Sequence, residues 1–238
     1  MKRVLFINIY PNTIAKYSLA AYILKAVALK DPYLQSKVAI DIVNLPETLS
    51  QDEMKSILEE YMCFDIFCYS VYCWNIDKIN LLNLHMSRNK TGIFGGPEID
   101  SIMMQHAKNS SNYYIIGQGE NKFVSLLYYI LSNPERDIET KIWDDGSNGQ
   151  QVDFVKVYAE NIVPSNLYRR KIAYLETQRG CFFQCSYCNY SKNESKIKYF
   201  DTNEVLKELD YIIDIGVKEI RFTDPVFTSD ISRAGIFY

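Results

Sequence analysis

"DIFCYSVY", residues 65–72, reads as a continuous apolar strand rather than an alternating one. A strand wetted on one face alternates polar and apolar positions. One that is apolar throughout is covered on both faces, as in a parallel sheet flanked by helices. Working outward, "RVLFINIY" (3–10), "TGIFGG" (91–96) and "NYYIIGQGE" (112–120) have the same character, and "KVAIDIVNL" (37–45) alternates. Helical spacing fills the gaps between them. "SLAAYILKAVALKD" (18–31) has Ser18 as its N-cap, and "LSQDEMKSILEEYM" (49–62) opens with the capping-box pair Ser50 and Glu53. "NIDKINLLNLHMSR" (75–88), "IDSIMMQHAKNS" (99–110) and "NKFVSLLYYILS" (121–132) complete the set. These β-α units predict an α/β fold: a five-stranded parallel Rossmann-like sheet over residues 1–133, with helices on both faces. Ligands of such sheets bind at the carboxyl ends of the strands. Here those ends are "YPNTIAKYS", "SVYCWN", "GGPE" and "GQGE".

Residues 134–170 are polar and turn-rich and read as a linker carrying a small hairpin. A second β-α-β then begins. "KIAYLETQRG" (171–180) is a strand, and "DTNEVLKELDYIIDIG" (201–216) is an amphipathic helix with Asp201 as N-cap, Glu204 completing a capping box and Gly216 at the C-cap. "VKEIRFTD" (217–224) is the next strand.

The bulk composition narrows the partners. With 238 residues, 47% of them hydrophobic, the chain can bury one or two cores. A net charge of −3, with Lys and Arg scattered, gives no electrostatic case for nucleic acid. "KNESKIK" (192–198) is too short a basic stretch to change that. The apolar start "VLFINI" is broken by Pro11, so it reads as a strand and not a signal peptide. No apolar run approaches about 18 residues, so no membrane partner is expected. The expectation is a cytoplasmic protein. In such a reducing setting, clustered cysteines point to metal or redox chemistry rather than disulfides.

There are six cysteines. Cys63, Cys68 and Cys73 straddle the strand at 65–72 and read as small core residues. Cys181, Cys185 and Cys188 fall in "RGCFFQCSYC" (179–188) as C-x3-C-x2-C. Three thiolates on one loop can hold three irons of a [4Fe–4S] cubane and leave the fourth open. They can also hold zinc if a distant His joins them, and the two histidines, His85 and His106, lie in the first domain. Spacing alone favours the cluster without excluding zinc.

"YLETQRGCFFQCSYCNYS" resembles the signature of radical SAM enzymes: the same cysteine spacing, an aromatic residue (Tyr187) just before the last cysteine, and E-x-x-R-G-C at its start. The resemblance implies that Cys181, Cys185 and Cys188 bind the cluster. It also implies that S-adenosylmethionine chelates the fourth iron and that reductive cleavage yields a 5′-deoxyadenosyl radical. It implies an electron donor such as flavodoxin or ferredoxin. "EIRFTD" is similar to the second strand of the family's partial TIM-like barrel, and "FTDPVFTSD" to the F-x-D-x-x-F stretch of a cobalamin-associated branch. Tyr187 and Asp224 would then lie by S-adenosylmethionine. A turn-forming role for Asp224 before Pro225 fits equally.

"FCYSVYCWN", "GIFGGPEID" and "IIGQGENKFVSLL" resemble the cobalamin-binding domain of the same branch. That resemblance puts Ser70, Gly95, Gly96, Pro97, Gly117, Gly119 and Glu120 at or near cobalamin. Gly-Gly and Gly-x-Gly are also ordinary strand-to-helix turns. The D-x-H-x-x-G motif of His-ligated cobalamin domains is absent. The implied activity is cobalamin-dependent radical methylation or a related C–H functionalisation of an unknown substrate. The barrel begun at 171–238 is expected to be incomplete. A truncated product, a split enzyme completed by a second chain, and a cobalamin- or nucleotide-binding module with a vestigial cluster loop all fit, with truncation ranked first.

Overall fold

The computed structural model describes residues 1–11, 16–86, 89–99, 111–135, 140–146, 152–190 and 196–237. The chain divides into two compact units, Met1–Asn148 and Gly149–Tyr238.

In the first unit the strands are β1 (Lys2–Tyr10), β2 (Val38–Pro46), β3 (Ile66–Ser70), β4 (Thr91–Gly95), β5 (Ser111–Ile115) and β6 (Thr140–Ile142). They form one sheet in the order β2-β1-β3-β4-β5-β6, and every pairing is parallel. The sheet has six strands rather than five. The sixth comes from within the stretch read as a linker, where "TKI" pairs with β5 and, among the described residues, no hairpin is seen.

Successive side chains of β3 explain its continuous apolar character. Phe67 and Tyr69 join one core with β1's Leu5 and Ile7, and Ile66 and Cys68 join the other with Val4 and Phe6. The first face is covered by α3 (Gln51–Glu60) through Met54 and Leu58, and by α4 (Ile76–His85) through Ile79 and Leu82. The second face is covered by α1 (Leu19–Lys30), α2 (Pro32–Lys37) and α5 (Glu120–Ser132). Helix α2 was not foreseen: Asp31 caps it by accepting the Leu34 N–H, and Pro32 opens it. The Ser50–Glu53 capping box forms, whereas Ser18 precedes α1 without a capping bond. The helix expected over 99–110 lies almost wholly outside the described residues.

The strand order reverses direction between β1 and β3, and Asn75 sits there. It is buried, accepts the Tyr72 N–H at 2.8 Å and donates to the carbonyls of Ser70 (3.0 Å) and Ile9 (3.4 Å). One amide thus ties the ends of both strands at the switch point.

The second unit holds β7 (Ile172–Leu175) parallel to β10 (Glu219–Phe222), linked through α7 (Thr202–Asp214). A two-residue antiparallel clip joins β8 (Gln178–Arg179) to β9 (Lys198–Tyr199). Helix α6 (Ser165–Tyr168) precedes β7, and α8 (Ile231–Ala234) follows β10. Asp201 caps α7, but the capping box does not form. Glu204 instead takes Lys156 at 2.6 Å and Lys207 at 2.5 Å, and these two bonds pull its carboxyl down to about 2. At the other end, Gly216 donates to Ile213 O and Val217 to Ile212 O, closing the helix.

Tyr158 does the work of a neighbouring strand. Its hydroxyl donates to the Tyr174 carbonyl (2.8 Å) and accepts the Tyr174 N–H (3.0 Å), on the side of β7 away from β10. Glu208, buried on α7, holds the Tyr158 segment by accepting the N–H groups of Tyr158 (2.7 Å) and Ala159 (3.2 Å). Burial pushes this carboxyl above its ordinary value of 4.5, against the lowering effect of those bonds. A carboxyl raised on folding stabilises fully below its unfolded pKa and loses that contribution as pH rises through the folded one. Relative to Glu208→Gln, the wild type is therefore expected to lose stability as pH rises from about 4.5 into that window. Urea unfolding of both proteins at several pH values checks this, and parallel curves would refute it.

Candidate functional site

β7 ends at Leu175, and the chain turns directly into the cysteine loop. Glu176 and Arg179, the E-x-x-R of the sequence, form a two-pronged ion pair with contacts of 2.8–3.0 Å, half-sheltered from solvent. The Arg179 guanidinium also lies over the Phe200 ring at 5.3 Å. Gly180 follows with φ +90°, and a Cβ there would collide with the Lys196 carbonyl oxygen on the returning strand. Its N–H donates to the Tyr190 hydroxyl at 3.3 Å. Only glycine lets the two stems of the loop approach this closely.

Beyond the stem, Cys181 is buried, Cys185 exposed and Cys188 half-buried, and none is in a disulfide. The Cys188 N–H donates to the Cys185 carbonyl at 3.1 Å, so the last two share one turn. Tyr187 is 88% exposed, and its hydrogen bond with Cys185, reinforced by nearby thiol charge, pushes its phenol up. Phe182 and Phe183 stand half in solvent with their rings 4.3 Å apart. Among the described residues, no three His, Cys, Asp or Glu side chains are gathered closely enough to hold a metal ion. The donor chemistry nevertheless fits an iron–sulfur cluster: three free thiols stand on one loop whose stems are pinned together. Of the zinc candidates, His85 sets Nδ1 on the Leu81 carbonyl of its own helix, and His106 lies outside the described residues.

Asp224 follows β10 and faces the loop's stem. Its oxygens accept from Thr177 N (2.7 Å), Thr177 Oγ1 (2.6 Å) and Gln178 N (3.2 Å). Burial raises its carboxyl, against these bonds. Thr177, Gln178 and Arg233 were not singled out from sequence. Their side-chain contacts with this region span 33 to 56 positions, so no local pattern marks them.

In the first unit the expected glycine turns fall at the carboxyl edge of the sheet. Ser70 ends β3 and Gly95 ends β4, and the Gly95 carbonyl accepts the Val71 N–H at 2.7 Å. Gly96 follows with φ +116°, pressed against the Val71 backbone, and leads to Pro97. Gly117 lies past β5, Gly119 caps α5, and Glu120 is buried at its first turn. Of the outer cysteines only Cys68 is a core residue. Cys63 and Cys73 are exposed, and Cys63 Sγ accepts from Arg3 at 3.0 Å. The expectation of three core thiols is corrected: Cys63 and Cys73 lie in turns beyond the two ends of β3, where solvent reaches them, and only Cys68 points into a core from the strand.

Residues 175–234 match the Radical SAM superfamily model. The matched segment starts at the last residue of β7 and includes the cysteine loop, α7 and β10. Two solved structures of TsrM, a radical S-adenosylmethionine methyltransferase from Kitasatospora setae, share the fold at 16% identity. One has tryptophan substrate and a SAM analogue bound (TM-score 0.61), and the other cobalamin and a [4Fe–4S] cluster (TM-score 0.65). Each match covers 100% of this chain and 50% of that one, so the chain spans about half the length of these structures. No curated protein matches it. No described helix is long and apolar enough to cross a membrane.

Proposed function

We propose that the second unit binds a [4Fe–4S] cluster through Cys181, Cys185 and Cys188, and that this chain provides the cofactor-binding part of a radical S-adenosylmethionine enzyme. The observation that carries this is the family match over 175–234, which falls on three free thiols on a loop with pinned stems. When bound, a cluster held by three thiolates offers one open iron and supplies the single electron that cleaves the sulfonium of S-adenosylmethionine. That electron comes from a reduced donor of the flavodoxin or ferredoxin class. Tyr187 stands exposed beside Cys185, where it can line the cosubstrate. Asp224 acts on the loop through Thr177 and Gln178.

The first unit, centred on the sheet expected over 1–133, would hold cobalamin at the carboxyl edge formed by Ser70, Gly95, Gly96, Pro97, Gly117, Gly119 and Glu120. Cobalamin would supply methyl transfer to a substrate radical, making the reaction a methylation of an unactivated carbon. At Gly95 and Gly117 the space a side chain would fill is open, so a large planar ligand can meet backbone at these two turns. The remaining barrel, from a longer chain or a second one, would contribute the substrate pocket. The free thiols suit a reducing, cytoplasmic setting.

Anaerobic reconstitution with iron and sulfide tests the reading. The expected result is about four irons per chain and an EPR signal of the reduced protein that changes when S-adenosylmethionine is added. Stoichiometric zinc with no iron uptake would replace it with the zinc reading.

A further inference from the structure

Thr177, Asp224 and Arg233 form one hydrogen-bonded chain at the base of the cysteine loop. Thr177 is fully buried, and its hydroxyl donates to Asp224 Oδ2 at 2.6 Å while accepting from Arg233 Nη1 at 2.9 Å. Arg233 Nη2 donates to two backbone carbonyls, Thr177 at 2.9 Å and Phe200 at 3.2 Å. Thr177 lies on the stem leading into the cysteine loop and Phe200 on the stem leaving it, so a single guanidinium nitrogen spans its mouth. The Phe200 N–H adds a bond to the Thr177 carbonyl at 3.1 Å.

Arg233 is also wedged against the rings of Tyr199 (4.8 Å) and Phe237 (5.0 Å), which fixes the plane of its fork. The segment after β10 makes a second attachment. Gln178 Nε2 donates to Val226 O at 2.5 Å, and Ser229 Oγ donates to Gln178 Oε1 at 3.0 Å. A planar guanidinium serves the hydroxyl and the two carbonyls from two nitrogens in a rigid fork, whereas an ammonium offers its three donors from one rotatable point. Asp224, reached through Thr177, balances the charge.

We propose that Arg233, coupled to Asp224 through Thr177, is a positioning residue that sets the spacing of the loop's two stems and so the geometry of its three thiols. Its purpose rests on the cluster reading above.

The test compares the full-length wild type with Arg233→Met, Arg233→Lys and Thr177→Val. In metal-free protein, amide exchange at Gln178 and Phe200 is expected to rise about tenfold in Arg233→Met and Thr177→Val, the size of one lost hydrogen bond. Arg233→Lys should restore it partly, and exchange across β3 should not move. After anaerobic reconstitution, the Met and Val variants should take up iron but give a broadened EPR signal with a weakened response to S-adenosylmethionine. Wild-type exchange together with a wild-type signal in Arg233→Met would overturn the proposal. If the wild type itself takes up no iron, the cluster reading falls. Exchange then decides alone: a rise supports the brace, and no change overturns it. If Arg233→Met loses protection throughout β7 and β10, Thr177→Val, which lacks one hydroxyl only, carries the comparison.

Discussion

Changing any one of Cys181, Cys185 and Cys188 to Ala is expected to lower reconstituted iron from about four per chain to less than about one. A cubane bound through three thiolates cannot be held by two, because a second iron would then depend on solvent. The starting geometry sharpens the expectation. Cys185 is exposed and Cys188 half-buried, so these two thiols are within reach of iron from solvent. Each missing thiolate removes part of the free energy that orders the loop, as in other sites where metal binding and local folding are one event. Cys63→Ala, Cys68→Ala and Cys73→Ala serve as controls and should keep full iron. Cys63 and Cys73 are exposed in the first unit, and Cys68 is packed in its core, where burial pushes its thiol well up and away from the thiolate a metal requires. Iron assay and EPR on the six variants decide the matter. Full iron in the Cys185→Ala protein would place any bound iron elsewhere.

Gly180→Ala should be the most damaging single-carbon change in the second unit. The new methyl meets the Lys196 carbonyl, a backbone atom that cannot rotate away, and φ +90° is unfavourable for alanine whatever the space. Strain and overpacking together cost roughly 2–5 kcal/mol, and relief requires separating the β8–β9 clip. Gly235→Ala is the matched control, since nothing lies near its added methyl, and it should be close to neutral. Urea unfolding should rank the two far apart, and Gly180→Ala should also lose most of its iron. Equal midpoints would show that the stems are not held together in solution.

Strands β1–β5 and helices α1, α3, α4 and α5 were legible because each carries a periodic or continuously apolar pattern, whereas the six-residue α2 is too short to show one. β6 was not: three residues of mixed polarity carry no periodicity, and their pairing is decided by the neighbouring β5. Helix caps were legible where the partner is three residues away, as with Ser50 and Glu53. They were not where a distant residue competes, as Lys156 does for Glu204. The three cysteines stand out in the sequence because their C-x3-C-x2-C spacing is a local pattern. Asn75, Thr177 and Arg233 could not, because each is an ordinary polar residue whose role exists only after remote strands meet.

The Tyr158 hydroxyl gives the small second sheet a handedness of assembly. By occupying both backbone groups of Tyr174 it blocks that flank against any incoming chain, while among the described residues β10 has β7 on one side only. Exposed strand edges are templates for pairing. A further strand, from the same polypeptide or another, can therefore dock beside Glu219–Phe222 and not beside Tyr174, so the sheet can grow in one direction only. A Tyr158→Phe protein, with that stopper removed, would offer two competing edges and should self-associate more than the wild type in analytical ultracentrifugation.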